Sequence, residues 1–461
     1  MCFHGVLCRA LLLATIQCVC AMAHAQVTWV TAGLPGFPYN IQQVVGNTAH
    51  DAVYYGGSVA LGGNWQQTNA VLRYSAGQWD TLGTVNDMIN TMIEYHDTLL
   101  VSGVIFYVNG TVPVEGIAYH DAQGWHPYGS LAPYGARRLR ILDDTLYAVG
   151  TFDHCDGVSC TGVAKRTGGH WEPVGQISGG YIVIDIVRYN DELVIIGGLD
   201  INGVGGIAHL VNGQWQGLGQ GILGGLSGPH SVAVFQGDLY VGGQISLGAG
   251  NPGQDIMRWD GSSFHPLGLG LQRELGNFSS FSDASVMQVH DGRLFVGGGF
   301  NYAGGVEAHG VASWDGTRWC GVAGDLVSVY NGGVYGMDFY GDTLFVTCGD
   351  SVDGVFVNKA AKFIGTSYED TCSAPVGIAE HEPSTGGAVI HMIGPDQFVM
   401  DGLPMGKQTV RVFDASGRLV LEQVKMTDGT TDATFALPHC ASGVYAVQVP
   451  GWLNAKVLVQ H

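Results

Sequence analysis

A sevenfold internal repetition constrains this chain more than any other feature. Segments built as a polar turn, a short apolar strand and small residues begin at Asp51 (DAVYYGG), Asp97 (DTLLVSG), Asp144 (DTLYAVG) and Asp191 (DELVIIGG). Further copies begin at Gly237 (GDLYVGG), Gly292 (GRLFVGGG) and Asp342 (DTLFVTCG), so successive starts lie 46, 47, 47, 46, 55 and 50 residues apart. Each is followed by two more short strands around a polar turn, with an aromatic at a fixed place: Trp79, Trp125, Trp171, Trp215, Phe264, Trp319 and Tyr368. Alternation before a Gly-centred turn is a hairpin signal. With a strand ahead of each polar turn (Ser231–Phe235 in the fifth unit), every unit reads as four strands. Four strands in about 46 residues make one blade of a β-propeller, whereas a β-solenoid coil is about half as long. A lone four-stranded sheet cannot bury both faces, but sheets stacked round an axis bury each face on a neighbour.

A ring must close. Val27–Gly36 (VTWVTAGLPG) reads as a lone fourth strand with Trp29 at the aromatic position, expected to pair beside Ala360–Ile364. The alternative places Thr366–Thr371 in that slot and Trp29 outside. The units resemble kelch-like propellers, whose repeat runs strand, Gly-Gly, then Tyr and Trp at similar spacing. The resemblance spans Val27 to Thr371 and drifts at Ser102-Gly103, Val149-Gly150 and Thr347-Cys348. It implies a seven-bladed ring and leaves activity open, because one scaffold of this kind hosts many functions.

Ahead of the repeat, Arg9, an apolar run from Ala10 and Ala23-His24-Ala25 form a signal-peptide pattern over residues 1–25, cut before Gln26. No later stretch approaches the roughly 20 apolar residues of a membrane span. Gly at 73 of 461 residues without a triplet period, and aromatics at 10%, mark turns in a folded protein. A formal net charge of −20 argues against a nucleic-acid partner, since that binding draws on Lys and Arg.

After the repeat (26–371), residues 372–387 read as a linker. Residues 388–461 hold seven short alternating strands, read as a small immunoglobulin-like β-sandwich. The whole is all-β. VRVFDASGRLVLEQV (Val410–Val424), LPHCASGVYAVQV (Leu437–Val449) and KVLV (Lys456–Val459) resemble the C-terminal sorting domain of the type IX secretion system. Asp414, Gly417 and Arg418 match its D-x-x-G-R turn, Gly443 and Tyr445 its G-x-Y strand, and Lys456 its terminal basic residue. The family's opening Pro-Asn-Pro has only Gly394-Pro395-Asp396 or Glu382-Pro383 to correspond. The resemblance implies the type IX machinery as a partner and export through the periplasm of a Gram-negative cell. Release or display at the cell surface follows from it.

No catalytic motif stands out: G-x-S-x-G, H-E-x-x-H and the P-loop are absent. SWDGTRW (Ser313–Trp319) is similar to a sialidase Asp-box, but Asp315 and Gly316 are adjacent, and WDGSSF at Trp259 repeats it, which favours a turn. Asp153, His154 and Asp156 share a loop suited to a metal, yet other units place ordinary loops there. Cys155 and Cys160 suit a local disulfide once exported, with a zinc pair as the rival. Sequence leaves Cys320, Cys348, Cys372 and Cys440 unpaired. The 55-residue step comes from Leu269–Asp283, whose Arg273, Glu274, Phe278 and Phe281 are candidates for a ligand lip. The expected function is binding of an extracellular glycan or protein, with no cofactor and no metal. The alternatives are a polysaccharide-active hydrolase or lyase using facing carboxylates, and a structural envelope component.

Overall fold

The computed structural model describes residues 29–35, 37–47, 51–60, 67–178, 181–224, 227–273, 282–326, 333–353, 355–365 and 367–373 of the repeat region. Beyond it are 389–392, 397–401, 403, 405–413, 419–427, 433–437, 443–449 and 453–459. Among these the protein is nearly all β, with one 3-10 turn at Leu247–Ala249 and no α-helix.

Seven antiparallel sheets share one pattern, in which first, second, third and fourth strands lie side by side in that order. Their first strands are Phe37–Asn47, Ile89–Tyr95, Ala136–Leu142, Ile182–Tyr189, Gly228–Phe235, Ala284–His290 and Gly336–Tyr340. Each first strand packs against that of the next sheet, and the seventh against the first, so the series is cyclic. The first sheet also carries the Tyr107–Val108/Val112–Pro113 hairpin on its outer edge. The seventh lacks a fourth strand of its own and takes Trp29–Thr31, with Trp29 opposite Phe363 and Thr31 opposite Ala361. Tyr368 lies elsewhere, stacked on Phe363 at 4.8 Å. Cys372 is bridged to Cys320, which fastens the chain leaving the repeat along the sixth sheet's fourth strand. The bonds Gly321 N–H to Thr371 C=O (2.9 Å) and Ser373 N–H to Trp319 C=O (2.8 Å) flank that bridge.

The fixed aromatic explains how sheets join. Trp125 donates its indole N–H to the Leu82 carbonyl (2.8 Å), Trp171 to Tyr128 (3.0 Å), Trp215 to Val174 (3.0 Å) and Trp319 to Leu267 (3.0 Å). Trp29 donates likewise to Ala323. Each acceptor lies in or just past the preceding sheet's fourth strand and is followed by glycine. That glycine is a packing requirement: a Cβ on Gly83 would sit 2.4 Å from the Trp125 ring nitrogen, and one on Gly175 2.6 Å from that of Trp215. A buried indole thus fills the wedge between sheets while its one polar atom is satisfied.

Polar groups tie the first strands together near the axis. Arg140 forms a two-pronged bond to Asp185 (2.8 and 2.6 Å), with Arg138 3.7 Å from the same carboxylate. Asp338 accepts from Gln288 Nε2 (3.2 Å) and from the backbone of Gly46 (2.9 Å), linking the sixth, seventh and first sheets. Burial raises Asp338 to about 6, against backbone hydrogen bonds and the Arg140 charge that pull it down. Asp255 rises to about 6 for the same reason, against bonds from Ser282, Gln254 and Ile245. An unfolded aspartate titrates near 3.9, so the folded state binds the extra protons. The stability set by these two groups is therefore highest below about pH 4 and falls as pH rises through about 6. Asp338→Asn should flatten its share of that slope: urea midpoints of variant and wild type, compared from pH 4 to 7, should diverge in the variant's favour as pH rises.

Past the repeat, Val389–Met392, Gln397–Asp401 and Ala433–Ala436 form one sheet. Leu419–Thr427, Gly406–Phe413, Gly443–Val449 and Leu453–Val459 form another in that order. Phe398, Met400, Val410, Val412, Phe435, Tyr445 and Val447 build one core from both. The alternation expected from sequence is the packing pattern: Tyr445, Val447 and Val449 all point inward.

Candidate functional site

Strand order gives the two ends of the ring different chemistry. In each sheet the first–second and third–fourth turns lie at one end. The second–third loops and the links to the next sheet lie at the other. The turn end is acidic and polar. His96 Nε2 meets Asp144 (3.1 Å), Gln236 reaches the Asp315 carbonyl (3.0 Å), and Tyr340 reaches Asp51. The loop end carries the apolar surface. Apart from Ile141, Val289 and Ile364, every exposed large apolar residue of the described repeat region sits in its loops or strand starts, including Phe106, Tyr107, Tyr134, Leu247, Tyr335 and Phe356.

Six first strands carry a β-bulge at the same place, at Gln42, Asn90, Arg137, Ile184, His230 and Ser285. A bulge frees its residue from regular pairing and re-aims the side chain. On the same end a cleft of about 700 Å³ opens between the second and third sheets, lined by Phe106, Tyr107, Pro113, Glu115, Pro127 and Asp156. Aromatic faces beside carboxylates are what a glycan or a peptide segment needs from such a cleft. The turn end has a polar cleft of about 620 Å³, lined among others by Tyr54, Arg73, Glu94, His120 and Asp121. Burial first, then the Arg73 charge, lowers the His120 pKa.

Of the expected lip residues, Arg273 follows the short strand Leu271–Gln272, which pairs with Tyr302–Ala303 of the sixth unit. Its Nε is buried without a hydrogen-bond partner among the described residues. Arg273 and Asp283 both act electrostatically on Tyr335, whose pKa burial raises. Glu274, Phe278 and Phe281 lie outside the described residues.

The local bridge expected between Cys155 and Cys160 is not formed; both are buried free thiols. The hairpin register explains this. Cys155 faces Val158 across the Asp156-Gly157 turn, while the Cys160 N–H pairs with the Asp153 carbonyl (2.8 Å). The two side chains are therefore diagonal neighbours, and their thiols meet through a hydrogen bond in place of a bridge. Burial pushes both thiols up, Cys160 furthest. The nearby carboxylate of Asp156 is occupied by the backbone N–H groups of Ser130 and Trp171, both at 2.7 Å. These bonds give Asp156 a structural role, tying its loop to the preceding sheet and to the third sheet's fourth strand. Asp315 is a turn residue too: against a burial cost, bonds from Thr317 and Arg318 hold it at about 2. In the C-terminal sheets, Gly443 opens a strand in which Tyr445 faces Val457, and Lys456 pairs with Ala446. Asp414, Gly417 and Arg418 lie outside the described residues.

Sequence inspection passed over His230. It stands between Ser227 and Asp283, at 2.8 and 2.9 Å, on the loop end. No spacing motif joins residues 227, 230 and 283; only the apposition of the fifth and sixth sheets does.

No protein-family model matches the chain, and no curated protein matches its sequence. Solved structures similar to it include a luciferin-regenerating enzyme (12% identity, TM-score 0.34, covering 76% of this chain and 98% of that one). YjhT is similar at 12% identity and TM-score 0.30, over 74% of this chain and 99% of its own. A GH43_12 protein from a capybara gut metagenome is similar at 11% identity and TM-score 0.29, over 95% and 92%. Scores this low transfer no property of those proteins, and the architecture rests on this chain's own strand order.

Proposed function

We propose that this chain is an exported, seven-bladed kelch-like propeller that binds a glycan or protein outside the cell through its loop end. The carrying observation is the gathering of exposed apolar and aromatic side chains at that end, against an acidic, hydrogen-bonded turn end. Exposed apolar and aromatic side chains gathered at one end are a feature of interaction surfaces. The Cys320–Cys372 bridge fits an oxidising compartment. Removal of a signal peptide before Gln26 and delivery by a C-terminal immunoglobulin-like type IX sorting domain complete the reading.

A glycan array and a pull-down with the mature chain test the binding. Phe106→Ala with Tyr107→Ala should weaken a captured ligand about tenfold or more, the loss typical of removing aromatic anchors. Silence on both screens would remove the reading. Deleting Gly387–His461 should leave the protein in the periplasm; surface delivery without that segment would remove the sorting assignment.

A further inference from the structure

At the junction of the fifth and sixth sheets, a hydroxyl, an imidazole and a carboxylate stand in line. Ser227, exposed in the link entering the fifth sheet, places Oγ 2.8 Å from His230 Nε2. His230 Nδ1 lies 2.9 Å from Asp283 Oδ1. The second oxygen of Asp283 accepts from Ser285 Oγ at 2.6 Å, which fixes the carboxylate. A carboxylate only accepts, so Nδ1 carries the imidazole proton and Nε2 is a bare acceptor for the serine hydroxyl. We propose that Ser227, His230 and Asp283 form a nucleophilic relay that hydrolyses carboxylic esters presented at the loop end.

The fold does not require these residues. At the bulge where the fifth sheet has His230, other sheets carry Asn90, Arg137, Ile184 and Ser285. Counted back from the turn, the place of Asp283 is held by Met88, Gly135, Ile182 and Gly333. Those junctions close without an acid–base pair. The tie the junction does need is present separately, as Ser231 Oγ donating to the Ala284 carbonyl at 2.7 Å. The histidine and aspartate side chains keep 24% and 17% exposure, enough for substrate to reach the line from solvent.

In the first step Ser227 Oγ bonds to the acyl carbon while its proton passes to His230 Nε2, and the carbonyl electron pair moves onto oxygen. Collapse restores the carbonyl, breaks the bond to the alcohol oxygen, and returns the proton from Nε2 to that leaving group. Water repeats the sequence on acyl-Ser227, releasing the carboxylic acid and the free hydroxyl. Asp283 stabilises the imidazolium throughout. Ser227 Oγ also donates to Gln244 Oε1 at 2.8 Å, which holds the hydroxyl beside His230 Nε2 until its proton turns to the imidazole. Arg273 brings an unpartnered guanidinium Nε to the same end. A shallow site with exposed Ser227 suits an ester, whose leaving alcohol needs less help than an amine.

The test treats the full chain with an alkyl fluorophosphonate and reads intact mass and the labelled peptide, beside turnover of p-nitrophenyl acetate. The expected result is one adduct on Ser227, absent in Ser227→Ala. His230→Gln should slow labelling about a hundredfold or more, and Asp283→Asn should slow it through the wrong tautomer. Circular dichroism confirms that each variant is folded. No adduct on folded wild type would overturn the proposal. So would labelling at a rate indifferent to His230→Gln, or ester turnover that survives Ser227→Ala. None of these outcomes bears on whether the loop end binds a glycan or a protein.

Discussion

Trp29→Ala is expected to lower the unfolding free energy by about 3–5 kcal/mol, the range for truncating a fully buried large aromatic. Trp29 is 2% exposed and packs edge-on against Phe363 at 5.2 Å. Its strand is held by three cross-strand pairs, by the Ala32 N–H to Ala360 C=O bond (3.0 Å) and by Thr31 Oγ1 donating to the Val357 carbonyl (3.1 Å). These contacts join the first described residues to a sheet whose other strands lie more than 300 positions later. Losing them opens a cavity and loosens the strand pairing that, with the packing of the seventh sheet's first strand on the first sheet's, closes the cyclic series. Trp29→Phe keeps the ring and removes the indole donor, so it should cost about 1 kcal/mol. Urea unfolding of both variants checks the pair. A loss below 1 kcal/mol for alanine would mean that the seventh sheet stands without its borrowed strand.

This closure was readable because Trp29 and Gly33 repeat the spacing of Trp79 with Gly83, Trp125 with Gly129 and Trp171 with Gly175. The aromatic at the fixed place announced a wedge residue. What the letters did not announce was where its N–H goes, since the acceptor lies in the preceding unit, 41 to 52 residues away by the bonds of Trp125, Trp171, Trp215 and Trp319. Tyr368 misled for the opposite reason: it sits at the expected distance in the last unit but packs over Phe339 and Phe363 outside the strand slot.

The candidate site was less legible. Local spacing suggested a bridge from Cys155 to Cys160, but a hairpin register of one residue decides whether two side chains are opposed or diagonal, and sequence does not fix it. The long step at Leu269–Asp283 is visible as length, and its described ends, Leu271–Gln272 and Asp283, lie at the junction that also carries His230. The acid–base line itself needed the third dimension, because 53 residues separate the imidazole from its carboxylate. An inserted loop is visible as length; a contact between neighbouring sheets is not.

Replacing Asp185 by leucine should be almost as damaging as losing Trp29, at about 3–5 kcal/mol, by a different route. Asp185 is fully buried and is shared by Arg138 and Arg140 of the neighbouring sheet, 22% and 28% exposed at the axis. Its carboxylate also accepts the Ile186 N–H at 2.9 Å. Without it two guanidinium groups face each other across a narrow space, and their repulsion adds to their unmet desolvation. Arg140→Met made in the Asp185→Leu background removes one of those charges, so it should recover part of the loss, whereas Arg140→Met alone should destabilise by leaving the carboxylate with the more distant Arg138. The coupling energy from the four proteins separates two explanations of why the axis is charged at all. A value above about 2 kcal/mol would mean that the third and fourth sheets are registered by this ion pair, in the way buried polar contacts fix one arrangement among several. A value near zero would mean that apolar packing between the sheets sets the register and that the charges only line a hydrated axis.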